Sequence, residues 1–410
     1  MSYRDDYLFL REKFEPKAEF ITLKKFRMNI LNTPFESFNY DILPGEEHYQ
    51  CNKHNENFEN SYSFDKDISA PHFEELLRID DSHVEENIFF TYPIFKPFTI
   101  KKSKEIIILL HGLNEKSWEK YLPWAYKLVE YTGKTVILFP TAFHMNRAPK
   151  KWADPRFMNK VCKERKQFYP KVTNSSLANT AISTRLQFLP QRLIWSGLQT
   201  YYDILQLIDQ IRTGTHPHIH KDAQIDFFSY SVGSFLAEIM LMTNENNYFE
   251  NSKLCMFCGG PPLNRMSPAS KYILDSEANV AIYSFFIEHL EVELKRDRRL
   301  AHYFSDLHHI GKYFKSMLDY NKMITFREKR LKKIAKRISA LALQKDEVVP
   351  SIEVELSLRG HDNKIPIKVK SLDFPYPYDH VIPFPVTEKD EKEIDKCFTK
   401  SMKFIAGQLK

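Results

Sequence analysis

Ser231, Asp346 and His380 lie far apart in the chain, yet each sits in a local setting suited to nucleophilic acyl transfer. Ser231 is the middle of Ser229-Tyr230-Ser231-Val232-Gly233. The apolar pair Phe227-Phe228 leads into this stretch, and Phe235 to Met242 follows with helical rather than alternating spacing, which predicts strand, tight turn, helix. Small residues on both sides of the turn let the strand end and the helix start come nearly into contact. Such a turn leaves the middle hydroxyl exposed at the positive end of a helix, where a serine nucleophile is favoured. The usual pattern is G-x-S-x-G, and here Ser229 replaces the first glycine. A serine-rich turn that only caps the next helix would use the same residue types, so the partners of Ser231 decide between the two readings.

Three stretches supply them. His111-Gly112 ends the apolar run Ile106 to Leu110, so backbone N–H groups of Leu113 and Val232 are the candidate donors to an oxyanion. Gln344 to Pro350 follows a run ending at Leu343 and offers Asp346, with Glu347 as runner-up, to orient a histidine. Asp373 to Pro385 is pinned by four prolines and holds His380, the candidate general base. His361, in the polar turn Gly360-His361-Asp362-Asn363, is the other histidine after the acid. The chain order Ser231, Asp346, His380 is that of an α/β-hydrolase.

Leu109-Leu110-His111-Gly112-Leu113-Asn114, Ser229 to Gly233 and Tyr378 to Pro385 resemble the α/β-hydrolase superfamily over roughly residues 85–395. His111 to Ala125, Phe139 to Arg147 and Asp373 to Pro377 are more closely similar to an uncharacterised bacterial hydrolase-like family, carried only as a domain of unknown function. The superfamily implies esterase, lipase, thioesterase or peptidase chemistry, and the narrower family implies no substrate.

The elements that must position these residues alternate strand and helix. Continuous Ile and Leu at 106–110, with similar runs at 135–139, 253–258 and 337–343, read as strands buried on both faces. The fold class expected is α/β: a mostly parallel central sheet flanked by helices, with a helical cap and an N-terminal extension. The division expected is an N-terminal extension at 1–85, a core at 86–263 and 337–410 with an insertion at about 142–190, and a helical cap at 264–336. Leu193 to Ile211 reads as an amphipathic helix. Ile352, Val354, Leu356 and Leu358 alternate like a strand, but parallel strands need a crossover, so a short helix is expected there.

Composition narrows the function classes. Across 410 residues, 59 Lys and Arg oppose 53 Asp and Glu, and their interspersion implies no nucleic-acid partner. The seven Lys and Arg between Arg327 and Arg337 read as the solvated face of a helix. The charged start lacks the apolar core of a secretory signal, and no apolar run approaches the roughly 20 residues that span a bilayer. Five cysteines, an odd number, fit a reducing compartment better than a disulfide framework, and Cys255 and Cys258 read as core. A soluble cytoplasmic protein is expected. His216-Pro217-His218-Ile219-His220 could turn three imidazoles to one side, but no carboxylate or cysteine completes a zinc set. His302, His308 and His309 read as surface residues of cap helices, and His144, Arg147 and Trp152 as either the substrate mouth or a packed insertion.

These features together predict a serine esterase that uses no metal and no organic cofactor and acts on a small-molecule acyl substrate. Two alternatives stand: a peptidase or thioesterase using the same triad, and a catalytically silent hydrolase-fold binding module.

Overall fold

The computed structural model describes residues 2–45, 48–51, 53–59 and 70–410. Its strands are β1 (Phe20–Leu23), β2 (Met28–Glu36), β3 (His48–Cys51), β4 (Glu56–Glu59), β5 (Phe89–Pro97), β6 (Ser103–Leu110), β7 (Thr135–Leu138), β8 (Ile219–Tyr230), β9 (Leu254–Phe257), β10 (Ile338–Leu343) and β11 (Lys368–Leu372). β3 and β4 form a separate antiparallel hairpin. The other nine form one sheet in the order β1-β2-β5-β7-β6-β8-β9-β10-β11. From β7 to β11 every neighbouring pair is parallel, whereas the β1–β2, β2–β5 and β5–β7 pairs are antiparallel. This is the α/β-hydrolase fold, a mostly parallel sheet flanked by helices.

The absence of alternation in β6 has a direct structural counterpart. Ile106, Ile108 and Leu110 enter the core layer on one face, and Ile107 and Leu109 enter the layer on the other. Helix Arg192–Arg212 covers the first face, burying Ile194, Leu198, Tyr201, Ile204, Ile208 and Ile211. Helices Leu122–Thr132 and Glu391–Leu409 cover the second. A bend and turn at Trp118 to Tyr121 precede Leu122–Thr132, and Gly133 closes that helix at φ +74°, where its lack of a Cβ is needed. Residues 351–359 form the expected crossover helix between the parallel strands β10 and β11. Between β9 and β10 the chain is mostly helical: Ser276–Tyr283, Leu290–Arg296, Arg298–Tyr303, His309–Ser316 and Ile324–Ile334. Residues 20–36 extend the sheet with β1 and β2, although their sequence shows no clear period. No helix among the described residues is long and apolar enough to cross a membrane.

Two sequence readings need correction. The basic run is not uniformly a solvated face, because Arg327 is buried and donates to the carbonyls of Ser316, Asp319, Tyr320 and Lys322. Its guanidinium ties together the chain that precedes its own helix. His302 and His308 are buried, not on the surface of the cap, and only His309 of the three is exposed.

Burial also holds His111, His144 and His216 uncharged. His111 lies well below the ordinary histidine range, and His144 and His216 are pushed down to about 4, desolvation being the main cause for each. The unfolded chain binds protons on these groups near pH 6.5 and the folded chain does not. Stability present above that pH is therefore lost as pH falls toward 4, at up to about 1.4 kcal/mol per pH unit for each histidine. Thermal melting followed from about pH 7.5 to about pH 4.5 is expected to show a falling midpoint, with a shallower fall in His216→Gln. A flat wild-type profile would contradict neutral burial.

Candidate active site

β8 ends at Tyr230, and the helix Val232–Thr243 begins one residue after Ser231. Ser231 is forced to φ +54° and ψ −124°, an unfavourable conformation for a residue with a side chain. The turn is held against β6: a Cβ at Gly233 would stand 2.6 Å from the Leu110 carbonyl oxygen and 2.7 Å from that of His111. Only glycine fits there. The position usually filled by the first glycine accommodates Ser229, which is buried and donates from Oγ to Ser234 Oγ at 3.0 Å.

The structure brings Ser231, His380 and Asp346 into one chain of hydrogen bonds. His380 Nε2 is 2.8 Å from Ser231 Oγ, and His380 Nδ1 is 2.7 Å from Asp346 Oδ2. Because a carboxylate only accepts, Nδ1 carries the proton and Nε2 is free to accept from the serine. Asp346 Oδ1 accepts from the Val348 and Val349 N–H groups at 3.0 and 2.8 Å, which fixes the carboxylate plane. The His380 ring stacks on Tyr230 at 5.3 Å, and the Tyr230 hydroxyl donates to the His380 carbonyl. All three residues are buried, whereas Glu347 and His361 are exposed and stand apart from this arrangement. Cys258 packs beside Asp346 and His380. Its thiol is pushed well above the usual range, mainly by burial and further by the Asp346 charge, so it stays uncharged.

Leu113 and Val232 line the same cavity as Ser231. Val232 opens its helix, where an N–H has no carbonyl of the helix to donate to. The peptide between Gly112 and Leu113 is clamped. His111 Nδ1 donates to the Gly112 carbonyl at 2.8 Å, while its Nε2 accepts from the Thr141 N–H at 3.0 Å. The Gly112 N–H donates to the Tyr121 hydroxyl, which in turn donates to Glu115, itself paired with Lys120. Since the carbonyl and N–H of one peptide point in opposite directions, anchoring the Gly112 carbonyl fixes the direction of the Leu113 N–H. Sequence reading placed the His111-Gly112 pair but gave His111 no role; its burial at a strand end was the available signal.

Ser231 lies between two clefts. One is apolar, lined by Leu193, Phe235, Leu236, Leu263, Ile282 and Phe314 among others, and His380 is not among its walls. The second contains His380 together with the polar Asn114, Glu115 and Lys116. His144 lines the apolar cleft. Arg147 does not: it is fully buried and ion-paired with Asp203 at 2.7 Å. Trp152 packs in an apolar cluster with Phe73 and Leu76. The histidines at 216–220 form no metal set, since His216 faces the Tyr92 hydroxyl at 2.9 Å and accepts from the His218 and Ile219 N–H groups.

No curated protein matches the sequence. Similar solved structures include carboxyl esterase 2 of the mycorrhizal fungus Tuber melanosporum, at 10% identity over 78% of this chain and 81% of that one, with a TM-score of 0.44. A cold-adapted esterase from an Arctic intertidal metagenomic library matches at 9% identity over 97% and 100% of the two chains, with a TM-score of 0.36. The acylaminoacyl peptidase of Pyrococcus horikoshii matches at 13% identity over 79% of this chain and 40% of that one, with a TM-score of 0.39. A family model spans residues 1–409, and the chain belongs to that family, DUF6051, a family of unknown function.

Proposed function

We propose that the protein is a serine hydrolase that cleaves carboxylic esters bearing an apolar acyl group. The observation that carries this reading is the buried hydrogen-bonded series Ser231 Oγ, His380, Asp346, whose serine alone lines the apolar cleft while His380 lines the polar one. Ser231 Oγ attacks the ester carbonyl carbon as His380 Nε2 takes its proton, and Asp346 stabilises the imidazolium that results. The carbonyl oxygen becomes the oxyanion and is met by the Leu113 and Val232 N–H groups. His380 then gives its proton to the departing alkoxide, the C–O bond breaks, and an acyl-Ser231 ester remains. Water, deprotonated by the same nitrogen, attacks that ester; the acyl C–Oγ bond breaks, His380 returns the proton to Ser231 Oγ, and the acid leaves.

The proton for the leaving group comes from His380, so the leaving group belongs in the polar cleft that His380 lines. The acyl group then belongs in the apolar cleft on the other side of Ser231. An open cleft reaching the serine favours an enzyme over a silent binding module. Thioester and peptide substrates would engage the same residues. Five free, buried cysteines support a reducing, cytoplasmic setting.

Ser231→Ala is expected to abolish hydrolysis of aryl esters and the mass gain from a fluorophosphonate probe. Asp346→Asn should lower kcat by about 10⁴-fold with the fold intact by circular dichroism. Probe addition to Ser231→Ala equal to wild type would remove Ser231 from the mechanism. His111→Gln frees the Gly112 peptide to turn, and should reduce kcat by tenfold or more while KM changes little, approaching the roughly 10²-fold loss of a whole oxyanion donor. An unchanged kcat would show that the Leu113 N–H needs no such anchor. Leu193→Trp should shift preference across a series of p-nitrophenyl esters toward shorter acyl chains; an unshifted preference would place the acyl group elsewhere.

A further inference from the structure

Away from Ser231, four side chains from two distant parts of the chain converge. Cys51 ends β3, and His54 lies in the turn between β3 and β4. His302 lies near the end of helix Arg298–Tyr303, and His308 immediately precedes helix His309–Ser316. Cys51 Sγ is 3.3 Å from His308 Nε2 and 3.5 Å from His54 Nδ1, and the Nε2 atoms of His302 and His308 are 3.0 Å apart. One donor atom from each of the four lies within 4.8 Å of the others. Cys51, His302 and His308 are buried.

We propose that Cys51, His54, His302 and His308 form a structural zinc site. Tetrahedral bonds of about 2.1 Å to nitrogen and 2.3 Å to sulfur put donors about 3.4–3.7 Å apart; the two Cys51 contacts, at 3.3 and 3.5 Å, lie near this, and the Nε2 pair is tighter at 3.0 Å. The three rings lie edge to face, at 79°, 85° and 79° to one another. No ring of the three lies flat on another, and one donor atom of each reaches the same cluster. His302 Nδ1 meets Glu56 Oε2 at 2.9 Å, the carboxylate partner that fixes a ligand histidine with its other nitrogen facing inward. A proton can satisfy one close contact between two Nε2 atoms, whereas one dication satisfies all four donors. The Cys51 thiolate and Glu56 balance its charge.

Mixed sulfur and nitrogen donors in tetrahedral array select zinc, and four protein ligands make a closed, structural site. The ion would clip the β3–β4 hairpin onto the helices between β9 and β10. The same contact region includes Arg299, whose guanidinium lies 3.6 Å from the Tyr49 ring centroid and donates to the Ile42 carbonyl. Helix His309–Ser316 also carries Phe314, a wall of the apolar cleft. Zinc would therefore brace that wall from behind.

The test uses the full-length chain, reduced, stripped with a chelator and titrated with Co²⁺. The result expected is a thiolate-to-cobalt charge-transfer band with tetrahedral ligand-field bands, displaced by one equivalent of Zn²⁺. Cys51→Ser should lose the charge-transfer band and Cys162→Ser should keep it, with far-ultraviolet circular dichroism confirming that both fold. Glu56→Gln should weaken zinc binding about 10–100-fold. A folded wild-type chain that shows no such band at saturating cobalt overturns the proposal, and so does a band that survives Cys51→Ser. Fluorophosphonate labelling of Ser231 reads the proposed esterase separately, so failure of one reading does not touch the other.

Discussion

Everything at the site depends on one close approach, the backbone of Gly233 lying against the carbonyls of Leu110 and His111. It seats the end of β8 directly beside the end of β6, where Leu110 pairs with Ser229. The two strand ends then present their following loops to each other. One loop carries Ser231 in its strained turn, and the other carries the clamped Gly112–Leu113 peptide. A side chain at residue 233 would push these apart and separate Ser231 from the Leu113 N–H. The strain at Ser231 is sustained because parallel strands on both sides of β8 leave the turn no room to relax.

Much of this arrangement is legible in the sequence, because it is local. Buried parallel strands announce themselves as unbroken runs such as Ile106 to Leu110, and the elbow as small residues around Ser231. Asp346 and His380 are legible by chain order and loop position, and the structure brings both within hydrogen-bond distance of their partners. The choice of Asp346 over Glu347 turns on which side chain faces inward in the loop after β10, where Asp346 is buried and Glu347 exposed.

What the sequence hides is long-range. β1 and β2 lie in a stretch with no visible period; β2 is largely buried, so polar and apolar positions do not alternate cleanly along it. The ion pair of Arg147 with Asp203 and the carbonyl cradle around Arg327 turn apparently available cations into buried struts. The histidines that draw the eye, at 216–220, are bound up with Tyr92 and the local backbone. Of those that converge, His54 lies some 250 residues from the pair His302 and His308, and spacing alone gives no sign of their meeting.

The hydrogen bond between Ser231 and His380 joins residues 149 positions apart, and His380 follows β11, the strand at the sheet edge. Tyr3 donates from its N–H to Asp395 and from its hydroxyl to the Phe384 carbonyl, so the first helix docks on the same C-terminal segment. Contacts of such long separation in sequence form late, after the loop entropy they require has been overcome by nearer pairings. Pairing of β6 with β8 alone would set the turn at Ser231 and the Gly112–Leu113 peptide side by side without His380. Completion of the sheet through β11 is therefore what brings an imidazole to Ser231.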